Sequence, residues 1–227
     1  LIWGFLAGIF LGLMHASKET FIFSVSAAIA ALIACAISKK NSFKIRYWHL
    51  AAGLCAAIIT SVLFYSSFGS NWQGVVDSVT TYAVWFKRAG GQSVHVHPWY
   101  YYLDLLTWLE FLEPITWNED VMVALSALGI FLAFSHRTIF INKPALIRFW
   151  AIYTVILTMI YCLIPYKTPW CMLSFLFGMA VLGGFVLNWV VGISKTRWEK
   201  ILAGMLIVVF VLVSPVFQSW MLNFHYF

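Results

Sequence analysis

Two histidines, a proline, a tryptophan, three successive tyrosines and an aspartate stand together in SVHVHPWYYYLDLL, residues 93–106. An imidazole can exchange a proton near neutral pH, phenols and indoles hydrogen-bond and stack on flat rings, and a carboxylate accepts from hydroxyls. Proline suits a first helical position, so the spacing predicts a helix starting at Pro98, with His97 just outside it. At about 100° per residue, His97, Tyr101, Asp104 and Trp108 fall on one side, and Trp99, Tyr102, Leu103, Leu106 and Leu109 on the other. The first side can hydrogen-bond hydroxyls and stack on a sugar ring or cover an apolar chain. The competing reading is an anchoring belt, because Trp and Tyr gather at membrane interfaces in any case. A belt has no need of Asp104 or His97 on the same stripe. His95 and His97, two apart on an extended segment, would project together as metal ligands, but no third ligand stands near them.

Two further stretches break an apolar background. In GLMHASKETFIF, the tetrad Ser17, Lys18, Glu19 and Thr20 interrupts two apolar runs of about sixteen residues each. Each run reaches about 24 Å against a hydrocarbon thickness of about 30 Å, so Lys18 and Glu19 could lie below the outer surface, where ionisable groups need a polar cavity or each other. The alternative is a tight hairpin whose charges reach the headgroups. In IPYKTPWC (164–171), Pro165 and Pro169 bracket Lys167 and keep either flanking helix from running through the turn. A lone interfacial lysine is an ordinary headgroup anchor. Together with Lys18 and Arg88, it could bind one lipid phosphate.

The elements that must position these groups are membrane helices. The chain is 63% hydrophobic and 10% charged, with a mean hydropathy of +0.89, a balance outside that of soluble domains. Seven apolar segments are expected, at 1–16, 21–37, 47–66, 119–135, 148–165, 170–193 and 200–222. The fold expected is therefore an all-α polytopic membrane protein, a single transmembrane domain over 1–227. It opens without a methionine or a charged leader region, as the interior of a longer protein would.

Charge sets the orientation. With the loop around Lys39, Lys40, Lys44 and Arg46 on the cytoplasmic side, alternation also places Arg137, Lys143, Arg148, Lys195, Arg197 and Lys200 there. The opposite side keeps four basic residues, Lys18, Lys87, Arg88 and Lys167, and seven of the eight acids. That extracytoplasmic side also carries the long loop 68–118, well beyond the length of a passive connection. Within it, Val75, Val79, Tyr82 and Phe86 recur at helical spacing, which predicts an amphipathic interfacial helix ending at Ala89-Gly90-Gly91. A net charge of +6 distributed among short loops sets topology and argues against a nucleic-acid partner. The four cysteines lie in or beside apolar segments without C-x-x-C spacing, as small buried hydrophobes do.

Taken in order, LGLMHASKETFIF, FYSSFGSNWQGVVDSVTTYAVWFKRAGG, HPWYYYLDLL and IPYKTPWCMLSF resemble the C-terminal half of a prokaryotic branch of the GT-C glycosyltransferases. This branch is related to the protein mannosyltransferases and aminoarabinose transferases and is sometimes labelled flippase activity-associated. The resemblance covers most of the chain through about Gly184. It implies a GT-C-like fold incomplete at its N-terminus, in the prokaryotic inner (plasma) membrane, with an extracytoplasmic active site. It implies transfer of a sugar from a polyprenyl-phosphate donor to a hydroxyl of a glycan, lipid or protein acceptor, with inversion. The general base would be a carboxylate in an outer loop upstream of Leu1, so no catalytic residue is named in this chain. By position, Lys18 and Glu19 match the polar break near the donor site, His97, Tyr101 and Tyr102 the segment lining the outer cavity, and Lys167 the Pro-bracketed turn. No cofactor is called for, and divalent-metal use is left open.

Two other classes remain beside the transferase. A lipid-linked-sugar flippase or transporter would also want polar groups near the midplane, although the ionisable residues here gather toward one face. A non-catalytic subunit of a larger membrane assembly could use the aromatic loop to hold a partner or bound lipids. A bis-histidine haem protein fits less well, since His15, His49, His136 and His225 fall near segment ends.

Overall fold

The structure is a computed structural model that describes residues 1–37, 46–89, 95–107, 119–135 and 144–224. The described residues are helical, with no β-strand among them, and form two compact units, Leu1–Val96 and His97–Phe227.

The first unit contains α1 (Ile2–Ser17), α2 (Phe21–Ile37), α3 (Tyr47–Tyr65) and α4 (Gln73–Ala89). Hydrocarbon provides no hydrophobic drive between helices, so close backbone approach must supply the attraction. In α1, Gly4, Gly8 and Gly12 repeat every fourth residue and share one face. A Cβ at Gly8 would fall on the Gly53 carbonyl of α3, and one at Gly4 would lie 2.6 Å from the His49 carbonyl oxygen. At the end of α3, Ser67, Phe68 and Gly69 take φ of 49°, 59° and 92°. The Phe68 N–H reaches back to the Leu63 carbonyl at 2.8 Å, which closes the helix.

The predicted helix in the loop is present as α4, but its packed face is rotated. Ser78 is buried and Val75, Tyr82 and Trp85 are half-buried, while Val79 is 67% exposed. Ser78 can replace Val79 at the contact because its hydroxyl donates to the Val75 carbonyl at 2.7 Å, leaving no unpaired group. The side chain of Phe86 lies outside the described residues.

The second unit contains α5 (Tyr101–Leu106), α6 (Asp120–Phe134), α7 (Pro144–Leu163), a 3-10 turn (Pro169–Met172) leading into α8 (Leu173–Ile193), then α9 (Arg197–Ile207) and α10 (Ser214–Phe224). Its core joins α6, α7 and α8 around Ala133, Ile147, Ala151 and Leu182, with Ile130, Trp150 and Phe185 packed on them. Arg148 donates from Nε to the Ala133 carbonyl at 3.0 Å, placing a cation at the carbonyl end of α6.

Among the described residues, three helices are long and apolar enough to cross a membrane: Tyr47–Tyr65, Pro144–Leu163 and Pro169–Ile193. Three more, α1, α2 and α6, are apolar but shorter. Their outward side chains include Trp48 at 82%, Phe131 at 67% and Phe177 at 61% exposed, a surface suited to hydrocarbon and not to water. The segment expected at 148–165 begins earlier, because Pro144 makes a good first helical residue. The segment expected as one helix at 200–222 is divided, with a π-helical stretch Val208–Val213 between α9 and α10. Pro215 explains the division: it brings no N–H, and its ring crowds the carbonyl four residues back, at Val211.

Candidate functional site

The two proline-marked motifs of the second unit are fastened to each other. Pro98 opens a helical turn in which the Tyr101 N–H bonds the Pro98 carbonyl at 3.2 Å, and α5 proper runs from Tyr101. Pro165 and Pro169 hold the segment after α7 out of helix, leaving its carbonyls free for other partners. The His97 N–H takes the Pro165 carbonyl at 3.1 Å. The Tyr102 hydroxyl donates to the Thr168 carbonyl at 3.1 Å and accepts from the Thr168 N–H at 3.2 Å. Lys167 donates from Nζ to the Ile164 carbonyl and to the His97 carbonyl, the latter at 3.3 Å. Tyr102, Lys167 and Thr168 are all 2% exposed or less. The Tyr102 ring also meets Phe175 of α8 edge-on, with centroids 5.6 Å apart.

Burial governs the ionisation of both side chains. It pushes the Tyr102 phenol well above its ordinary value, opposed by the bond from the Thr168 backbone, so the hydroxyl keeps its proton and can donate. It pulls the Lys167 ammonium down, partly offset by the neighbouring Cys162 thiol.

His97 and Tyr101 lie on the expected common face: their rings stack with centroids 4.0 Å apart at 16°, both half-buried, and Asp104 is half-buried one turn along. The opposite face carries the buried Tyr102 and Leu106, whereas Trp99, expected with them, is 63% exposed. Tyr102, expected to line the outer cavity, and Lys167, expected as a headgroup anchor or part of a phosphate site, are enclosed and spend their polar atoms on backbone groups. The reason is local. The end of α7 presents carbonyls without helical partners at the negative end of its dipole, and an ammonium on a short turn is the nearest donor.

Lys18, Glu19 and Arg88 belong to the first unit. Lys18 is exposed and Glu19 half-buried in the turn between α1 and α2. Arg88 lies near the end of α4, its side chain outside the described residues, as is Trp108 altogether.

A second cluster, in the first unit, is one the sequence reading passes over. His15 of α1 and Ser61 of α3 meet at 2.6 Å between Nδ1 and Oγ, and the Tyr65 hydroxyl donates to the His15 carbonyl at 2.9 Å. The imidazole packs against Phe21 at 4.6 Å and Tyr65 at 5.1 Å, and stacks nearly parallel to Tyr82 at 6.3 Å. The Tyr82 phenol is pushed up to about 12 by burial, with smaller contributions from Tyr65 and the Glu19 carboxylate. Its hydroxyl is buried without a hydrogen-bond partner among the described residues. His15 and Ser61 line a cavity of about 300 Å³ with Leu11, Gly12, Ala57 and Val62. The available signal was His15 itself, a ring nitrogen inside an apolar run, three residues before Lys18.

No group of three or more His, Cys, Asp or Glu among the described residues could hold a metal ion. No protein-family model, curated protein or solved structure matches the chain.

Proposed function

We propose that this chain is the C-terminal part of a polytopic membrane glycosyltransferase that takes a sugar from a polyprenyl-phosphate donor on the extracytoplasmic face. The reading places seven spans in a prokaryotic inner membrane and the loop 68–118 outside. One observation carries it: HPWYYYL and IPYKTPW, the two most specific motifs of the GT-C resemblance, are bonded to each other through Tyr102, Thr168, Lys167 and His97. Their union supports a preorganised wall that presents the stacked His97 and Tyr101 rings, with Asp104 beside them.

In this reading, His97 and Tyr101 form a face against which the sugar ring stacks, and Asp104 accepts from its hydroxyls. Lys167 holds the His97 segment in place. The base that deprotonates the acceptor hydroxyl lies upstream of Leu1.

Sugar transfer from a polyprenyl-phosphate sugar, measured in membranes containing the intact protein, tests this. His97→Ala and Asp104→Ala should each lower kcat/KM by about tenfold or more while the protein stays folded. Wild-type rates in both variants would return the aromatic face to an anchoring belt. Donor binding without any transfer by the intact protein would favour a non-catalytic subunit, and donor translocation without transfer a flippase.

A further inference from the structure

The first unit contains a polar cluster for which the sugar-transfer reading has no use. Its cavity of about 300 Å³ is at the small end of ligand pockets, walled by Leu11, Ala57, Ile58 and Val62, and its polar end is made by His15 and Ser61. No charged side chain among the described residues lines it, so a charged head would be buried without a counter-ion. In either tautomer the pair keeps one proton that no described residue accepts, on Nε2 when Ser61 donates to Nδ1 and on Ser61 Oγ when Nδ1 donates. The Tyr82 hydroxyl, stacked behind the same ring, is buried with no hydrogen-bond partner among the described residues. What this site offers a ligand is a donor.

We propose that the first unit binds an uncharged amphiphile, a prenyl or acyl chain ending in a hydrogen-bond-accepting oxygen such as a ketone, with the chain in the cavity and the oxygen at the His15 and Ser61 pair. Phe21, Tyr65 and Tyr82 fix the imidazole from three sides, so the pair is held in place before the ligand arrives. The inference stands apart from the sugar-transfer reading and survives its failure.

The test uses the intact protein in nanodiscs of zwitterionic lipid and three photoreactive probes on one prenyl chain: a ketone, the plain hydrocarbon and a phosphate. Cross-linked peptides are read by mass spectrometry. The ketone should label α1 and α3 at least about fivefold more than the hydrocarbon, the worth of one hydrogen bond, and untagged ketone should compete it away. Ser61→Ala should lower ketone labelling by about the same factor, and Leu11→Trp should abolish it by filling the cavity. His15→Phe keeps the ring stack and should match Ser61→Ala; if it fails to fold, Ser61→Ala still decides. Equal labelling by the hydrocarbon, or unchanged labelling in Ser61→Ala, would overturn the proposal and leave the pair as a tie between α1 and α3. Stronger labelling by the phosphate would overturn it by giving the cavity to a charged lipid.

Discussion

Replacing Tyr102 with phenylalanine removes one oxygen atom and keeps the ring, including its edge-on contact with Phe175 at 5.6 Å. That oxygen serves both the carbonyl and the N–H of Thr168, and both residues are nearly sealed from solvent, at 1% and 2% exposed. A buried group left without its partner costs about 1–3 kcal/mol, and two such groups together about 2–6 kcal/mol. The loss falls on one local closure, that of α5 against the turn after α7. At about 1.4 kcal/mol per factor of ten, the open population should rise about 30- to 20,000-fold. Hydrogen exchange at the Thr168 amide, which donates directly to the Tyr102 oxygen, reads that population. The amide should exchange faster in Tyr102→Phe by that factor. Tyr101→Phe, whose half-buried ring stacks on His97, should leave the Thr168 amide unaffected. A Thr168 amide equally protected in Tyr102→Phe and wild type would refute the reasoning, since the hydroxyl would then not be what holds the turn.

Lys167→Met should change the pH dependence of stability. Burial sets the folded-state pKa of Lys167 below its ordinary 10.5, so between the two values the unfolded chain binds more protons than the folded one. Stability should therefore rise with pH through that window and fall as pH drops through the folded pKa, with a slope of up to about 1.4 kcal/mol per unit. Subtracting the Lys167→Met unfolding free energy from that of wild type across the alkaline range should isolate this rise, and a flat difference would deny it. At the α1 and α3 crossing, Gly8→Val should destabilise by about 1–3 kcal/mol or more, because its first added carbon falls on the Gly53 carbonyl. Gly204→Ala, with open space around its added carbon, should stay within about 0.5 kcal/mol in the same denaturation assay.

Hydropathy was enough to find where the helices lie, because apolar runs bounded by prolines and charges are local features. It did not reveal how those helices meet. The amphipathic period of 73–89 is plain, but whether Ser78 or Val79 faces the bundle depends on a hydroxyl bonded three residues back. In hydrocarbon an exposed valine carries no penalty that would mark it. Pro165 and Pro169 announce a fixed turn, yet one of the two carbonyls that Lys167 bonds is that of His97, 70 residues away and invisible to any spacing rule. The His97 and Tyr101 stack could be read because the two residues share one helical turn. The His15 and Ser61 pair joins two helices 46 residues apart, and each residue alone looks like an incidental polar group in an apolar run. Pro215 was the visible sign that 200–222 would not be one straight helix, and uniform apolarity around it hid the break.

The bond between Tyr102 and Thr168 spans 66 positions of the chain, which gives the protein a schedule as well as a shape. Translation at roughly 5–20 residues per second delivers Tyr102 about 3–13 s before Thr168 exists to receive it. During that interval the Tyr102 hydroxyl, the His97 carbonyl and the apolar side of α5 must be kept by lipid, water or the insertion machinery. The aromatic wall is therefore a late product of biogenesis, completed only once the hairpin of α7 and α8 has been made. A ribosome stalled before Thr168 would display its parts without the wall.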